Sequence, residues 1–221
     1  MTGLTGQRAE VGWQFWVRWV LASSVGCALG FAPFVYVTLA VRTFYEDRTF
    51  ALALGITGLL TWGWLGLLQW LVLRPQLSSA NRWVLATIVG GTAGSVAAWA
   101  VNVMVGPPAG RHTIAGDFIA IVLAGGAFGG ILAILQLRIL RQQVDRAGWW
   151  VLASIVGCAL AFAIAEPISL LAFVFLQIHQ PLSPLLFCLT LGAIAGVVNG
   201  SITGITLVRL LQHRVAIAPD A

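Results

Sequence analysis

The chain has 221 residues, of which 59% are hydrophobic and 9% are charged, and its mean hydropathy is +0.94. This charge content is too low to cover the surface of a soluble domain of that length, so the composition excludes a soluble globular protein. The net charge of +5 comes from arginines that stand singly near the ends of apolar segments, with no lysine and no basic run. That distribution argues against a nucleic-acid partner.

Six apolar segments follow one another along the chain, and each is long enough to cross a bilayer. A helix rises about 1.5 Å per residue, so about 20 apolar residues span the roughly 30 Å hydrocarbon layer. The connections are short, which makes consecutive helices antiparallel neighbours. We therefore predict an all-α fold, an integral membrane bundle of six transmembrane helices in a single domain. The predicted spans are about 13–39, 50–73, 83–105, 115–140, 149–178 and 183–209.

The arginines indicate the orientation of the bundle. Nine lie on the side that holds both termini, and three lie on the other side. Basic residues are enriched on the cytoplasmic side of membrane proteins, so we expect cytoplasmic N- and C-termini. The nine are Arg8, Arg18, Arg74, Arg82, Arg138, Arg141, Arg146, Arg209 and Arg214, and the three are Arg42, Arg48 and Arg111.

The odd-numbered spans resemble one another. The sequence Trp-Val-Leu-Ala-Ser/Thr begins at Trp19, at Trp83 and at Trp150. Each copy is followed at the same distance by a glycine, and one helical turn later by a second small residue. The glycines are Gly26, Gly90 and Gly157, and the second small residues are Gly30, Gly94 and Ala161.

The even-numbered spans also share a pattern, in which Gln69 corresponds to Gln136 and Gly63 to Gly130. We expect the glutamines to form interhelical hydrogen bonds. The last span is a weaker copy, in which we align Gly200 and Thr206 with the glycine and the glutamine. The pattern predicts three parallel tandem helical-hairpin repeats, at about 13–74, 82–141 and 148–211, with pseudo-threefold symmetry.

The repeated motifs of the odd- and even-numbered spans resemble those of a known protein family. The WVLAS-x-x-G segment and the GxxQWLVLR-type helix ending are similar to those of a family of uncharacterised bacterial multipass membrane proteins that repeat such a hairpin in tandem. The resemblance covers nearly the whole chain and implies a location in the bacterial cytoplasmic membrane. It implies no activity and no catalytic residues.

Small residues form a stripe along the last span. Gly192, Gly196, Gly200 and Gly204 are spaced one helical turn apart, and such a stripe lets a neighbouring backbone approach closely. It predicts either helix packing within the bundle or an interface with a partner protein.

Tryptophans and arginines cluster where the spans meet the cytoplasmic interface. Amphipathic indoles and guanidinium groups belong at headgroup depth. We therefore expect interfacial anchoring or binding of lipid headgroups by Trp19, Arg74, Arg82, Trp83, Arg141, Trp149 and Trp150.

An acidic residue interrupts the fifth span, where Glu166 is followed by Pro167. The proline removes a backbone hydrogen bond and a carboxylate in hydrocarbon is costly, so the pair is a candidate ion or proton site. The alternatives are a structural hydrogen bond to a neighbouring helix, or a span that ends earlier than predicted.

No sequence motif indicates catalysis, a cofactor or a bound metal. The three cysteines lie within apolar segments and are expected to be small buried hydrophobic residues. We expect a non-enzymatic structural or accessory subunit of a larger membrane assembly, with membrane lipids and a membrane protein or a second copy as partners. The alternative is a small transporter or binding subunit for a proton, ion or lipophilic ligand that uses Glu166.

Overall fold

The computed structural model describes residues 11–43, 47–106, 113–177 and 183–213. These residues form six helices, each long and apolar enough to cross a membrane. The prediction of an all-α, six-helix membrane bundle is therefore confirmed. The helices are α1 (Trp13–Thr43), α2 (Asp47–Leu73), α3 (Asn81–Val105), α4 (Ile114–Leu140), α5 (Gly148–Gln177) and α6 (Ser183–Gln212).

The predicted spans agree with the helices to within a few residues, because length and apolar content fix both. The helices run somewhat further at several ends; α1, for instance, continues to Thr43 and α6 to Gln212. At the start of α4, the side chain of Thr113 accepts a hydrogen bond from the backbone N–H of Gly116. This cap satisfies one of the free N–H groups of the first turn.

The helices form a closed ring in chain order. Each helix packs against the one before it and the one after it, and α6 packs against α1. Among the described residues, the backbones of helices on opposite sides of the ring stay apart, so the axis of the ring is filled by side chains.

Glycines set the closest approach between neighbouring helices. A Cβ atom added to Gly26 of α1 would lie 2.8 Å from the Cα atom of Leu65 in α2. The same holds between α3 and α4, where a Cβ on Gly90 would lie 3.0 Å from the Cα atom of Leu132. These distances are too short for a side chain, which explains why glycine occupies these positions.

The glycine stripe of α6 closes the ring against α1. Added Cβ atoms on Gly192 and Gly196 would lie 2.5 Å from the backbone oxygens of Cys27 and Ser23. On the same seam, Ser24 Oγ donates a hydrogen bond of 3.1 Å to the backbone oxygen of Ala193. The stripe is therefore a helix-packing face within the chain, and α1 leaves no room there for a partner.

Side-chain hydrogen bonds also stabilise the ring at the end where α1 begins and α6 ends. We call this the terminal end. Trp16 Nε1 donates to the backbone oxygen of Ser201 at 3.0 Å, and Gln212 Nε2 donates to that of Val11 at 2.8 Å. The α2–α3 and α4–α5 turns meet at this end, where Gln143 Nε2 donates to Ser79 Oγ at 2.7 Å.

Candidate functional site at the centre of the bundle

Three tryptophans meet on the axis of the ring near the terminal end. Trp19, Trp83 and Trp150 are 0%, 0% and 2% exposed. Their ring centroids lie 5.5 to 6.0 Å apart at interplanar angles of 65 to 75°, so each indole packs edge to face against the other two. We call these residues the tryptophan ring. Such edge-to-face contacts are favourable because the positive edge of one indole meets the negative face of the next.

The prediction that these three tryptophans anchor the protein at the lipid interface is wrong. An indole at a helix end can face either lipid headgroups or the interior, and its position in the sequence is the same in both cases. Here all three face inward, because the odd-numbered helices present the same face to the axis of a closed ring.

The indole N–H groups of Trp83 and Trp150 are each paired with a glutamine of the preceding helix. Trp83 Nε1 donates to Gln69 Oε1 at 3.0 Å, and Gln69 Nε2 donates to Ser23 Oγ at 3.1 Å. An indole can only donate, whereas an amide both accepts and donates, so glutamine connects the tryptophan to a hydroxyl. The predicted interhelical hydrogen bonding of Gln69 is confirmed.

The same arrangement recurs one hairpin further along the chain. Trp150 Nε1 donates to Gln136 Oε1 at 3.1 Å, and Gln136 Nε2 donates to Thr87 Oγ1 at 3.0 Å. Gln136 and Thr87 are both buried. The bonding of Gln136 is thus also confirmed, and its partners correspond to those of Gln69.

The third indole is paired differently. Trp19 Nε1 donates to Thr203 Oγ1 at 3.1 Å, and that hydroxyl in turn donates to the backbone oxygen of Asn199 at 2.7 Å. Thr203, and not Thr206, therefore takes the place of the glutamine, so the predicted alignment of α6 is wrong.

The predicted alignment of α6 is wrong because it pairs Gly200 with Gly63. A Cβ on Gly200 would lie 2.9 Å from the Cβ atom of Ser23, much as one on Gly66 would lie 3.0 Å from that of Thr87. Gly200 thus corresponds to Gly66 and not to Gly63. The short threonine reaches Trp19 because the glycine stripe brings α6 close to α1.

A second aromatic layer fills the axis on the side away from the terminal end. Trp62 is buried there, with ring centroids 4.8 Å from Phe128 and 6.2 Å from Phe31. An added Cβ on Gly91 would collide with the indole of Trp62, so glycine makes room for the ring. The cysteines Cys27 and Cys158 belong to this layer as buried free thiols, as the sequence predicts.

Asn199 is a half-buried polar residue that the sequence analysis missed. It contacts Gly157 at the place where Leu65 contacts Gly26 and Leu132 contacts Gly90. Its Oδ1 atom is buried, and no described residue donates a hydrogen bond to it. The signal in the sequence is a polar residue where the first two hairpins carry leucine, and it becomes visible only with the correct alignment of α6.

Glu166 lies on the outside of the bundle. The side chains of Glu166 and Pro167 are both exposed, and Trp99, which corresponds to Glu166 in the preceding hairpin, is 68% exposed. Glu166 is about 27 Å from Gly148 along α5, and the helix continues for another eleven residues to Gln177. The apolar sequence of α5 continues beyond Glu166 to Gln177, so the expectation of an ion or proton site at Glu166 and Pro167 stays a prediction.

The remaining anchor candidates stay at the surface of the terminal end. Trp149 is 60% exposed, and the guanidinium carbon of Arg74 lies 5.6 Å from the ring centre of Trp70, in a cation–π contact. Seven of the nine arginines assigned to this end are described, and all seven are exposed: Arg18, Arg74, Arg82, Arg138, Arg141, Arg146 and Arg209. Arg8, Arg111 and Arg214 lie outside the described residues, as do the side chains of Arg42 and Arg48.

The centre of the bundle is filled by packed aromatic rings and by hydrogen bonds between side chains. In the part of the chain that the structure describes, no three His, Cys, Asp or Glu side chains lie together as metal ligands. The indole N–H groups of the tryptophan ring and the two glutamine amides are hydrogen-bonded to one another and to hydroxyl groups. No protein-family model, curated protein or solved structure matches this chain, so its function is inferred from the geometry of the bundle.

Proposed function

We propose that the protein is a non-catalytic structural or accessory subunit of a larger membrane assembly. It resides in the bacterial cytoplasmic membrane with both termini in the cytoplasm, and it is built from three tandem hairpins. The observation that carries this proposal is the tryptophan ring, which fills the axis of the helix ring with buried, mutually packed side chains.

The filled axis favours a packing role over transport. A pathway along the axis would have to pass three edge-to-face indoles and then the layer that contains Trp62 and Phe128. Opening it would separate Trp83 and Trp150 from Gln69 and Gln136 and leave buried polar groups unpaired.

The outer surface supplies the contact area for other membrane components. Large apolar side chains are exposed on all six helices, among them Leu29, Leu71, Val89, Ile134, Leu160 and Ile205. Lipid chains and apolar transmembrane helices both fit such a surface. The membrane-embedded surface is therefore the proposed site for a partner.

Purification from the native membrane in a gentle detergent, followed by native mass spectrometry, tests the proposal. We expect the protein to travel with a membrane protein partner, or with a second copy, in a fixed stoichiometry. A clean monomer at every detergent concentration tested would contradict the proposal.

A scan of the outer surface provides the matched control. Each of the six exposed residues named above is replaced by tryptophan, one helix at a time. If a protein partner binds this surface, substitutions on one or two adjacent helices should abolish its co-purification without changing the melting temperature. A surface that contacts only lipid would tolerate all six substitutions.

Flux measurements in reconstituted vesicles test the opposite function. We expect the purified protein to carry no proton or potassium current. A proton flux that is present in the wild type and lost in Glu166→Gln would contradict the proposed structural role.

A further inference from the structure

Two equivalent positions on the outer surface of the bundle carry groups that can hydrogen-bond. Trp99 in α3 and Glu166 in α5 each follow a tryptophan of the central ring by sixteen residues. Those tryptophans are Trp83 and Trp150. Sixteen residues turn an α-helix by about 160° beyond four full turns, so both side chains point away from the axis. Trp99 is 68% exposed, and Glu166 is also exposed.

The two positions lie at the same depth in the membrane. Trp83 and Trp150 contact each other in the tryptophan ring, and α3 and α5 both run away from the terminal end. A rise of about 1.5 Å per residue places Trp99 and Glu166 each about 24 Å further along their helices. In two copies of the chain that share one orientation, α3 of the first and α5 of the second are therefore parallel, and Trp99 can face Glu166.

Glu166 is set in an apolar, outward-facing part of α5. The exposed side chains before and after it, Ile164, Ile168 and Leu171, are all apolar. Among the described residues, none forms an ion pair or a hydrogen bond with its carboxyl group. A carboxyl group that faces lipid is costly unless it is paired. Because this side chain points away from the bundle, the group that pairs with it comes from outside the bundle.

The outer face of α3 provides matching hydrogen-bond donors. The indole N–H of Trp99 and the side-chain amide of Asn102, about one turn further along, are both donors and both exposed. No described residue accepts a hydrogen bond from the Trp99 N–H. One turn before Glu166 stands Ala163, a small residue that lets a neighbouring helix approach closely.

We propose that the protein associates with a second copy of itself through these two faces. The carboxyl group of Glu166 in one copy accepts hydrogen bonds from Trp99 and Asn102 in the next. This inference rests on the proposed function, because it names the partner. The two faces are different, so association continues into a closed ring or an open chain of copies. A foreign partner on one side of the bundle would not need both α3 and α5.

Disulfide cross-linking between two differently tagged copies in the native membrane tests this contact. Both copies have their three native cysteines replaced by alanine. One carries Val96→Cys and the other Ala163→Cys, which are equivalent positions one turn before Trp99 and Glu166. We expect a cross-link between the two tags. Pairs of copies that both carry Val96→Cys, or both carry Ala163→Cys, are the control and should not cross-link, because like faces do not meet.

Substitutions within the cross-linking pair test the hydrogen bonds. Glu166→Leu and Trp99→Phe should each lower the cross-linked fraction about fivefold, as expected for one hydrogen bond between transmembrane helices. Glu166→Gln keeps an acceptor and should leave the fraction unchanged. Leu29→Ala is the matched control, since Leu29 is exposed on α1, on the opposite side of the ring. Melting temperatures equal to that of the wild type show that each variant is folded.

Four results would overturn the proposed contact. Cross-links between like faces would indicate a symmetric dimer. Equal losses in Glu166→Gln and Glu166→Leu would indicate an ion pair with a cationic partner. A cross-linked fraction that neither Glu166→Leu nor Trp99→Phe lowers would remove the role of the hydrogen bonds. No cross-link, in a protein that still co-purifies with another membrane protein, would contradict self-association and leave the proposed function standing; a clean monomer would contradict both.

Discussion

Glutamine and tryptophan residues account for most of the buried polar contacts in this bundle. Gln69 and Gln136 each accept from an indole and donate to a hydroxyl, so two helix interfaces are joined by one side chain. The matching positions of the glutamines predict this bonding. The inward direction of the tryptophans could not be predicted, since an amphipathic indole suits the lipid interface equally well.

Replacing Gln136 by leucine should destabilise the bundle. The change leaves the N–H of Trp150 buried without an acceptor and removes two hydrogen bonds, at a cost of about 1–2 kcal/mol. Thermal unfolding in detergent measures the loss. Gln142→Leu is the control, because Gln142 is exposed at the same end. Equal melting temperatures for both variants would contradict the bridging role of Gln136.

Replacing Asn199 by leucine should stabilise the protein. The variant restores the residue found at the corresponding positions of the first two hairpins and removes a buried oxygen that no described residue pairs, a gain of about 1 kcal/mol. The reciprocal change, Leu132→Asn, should lower stability. A loss of stability in Asn199→Leu would show that the amide has a hydrogen-bond donor in the membrane.

At the scale of helices, glycine sets how closely neighbours approach. The stripe from Gly192 to Gly204 lies against α1. This close approach lets Thr203 accept the indole hydrogen bond of Trp19, as the glutamines accept those of the other two tryptophans. The six spans could be predicted from length and apolar content. The alignment of α6 with the other even-numbered helices could not be predicted. This helix contains many glycines, and which of them corresponds to Gly63 depends on the face that packs against α1.

Replacing Gly196 by leucine should separate α6 from α1. The added side chain would collide with the backbone at Ser23 and Ser24, and overpacking of this kind costs about 1–3 kcal/mol. Gly63→Ala is the matched control, since its Cβ would find its nearest neighbour 4.0 Å away. We expect the unfolding temperature to fall for Gly196→Leu alone; equal behaviour of the two variants would contradict the close seam.

Across the whole molecule, the central feature is a closed ring of six helices around buried tryptophans. Its closure depends on contacts between the first and last helices, which are far apart in the sequence. The repeated hairpin motif predicts antiparallel pairs. It does not by itself predict that the last pair returns to the first, because a tandem array of hairpins can also remain open.

Disulfide cross-linking across the α1–α6 seam tests this closure most directly. The experiment places cysteines at Ser24 and Ala193 in a chain whose three native cysteines are replaced by alanine, and oxidises the protein in its native membrane. Val25, which is exposed on the outer face, replaces Ser24 in the control pair. We predict a cross-link within one chain for the first pair and none for the control. No cross-link, or a cross-link between two chains, would contradict a ring closed within one molecule.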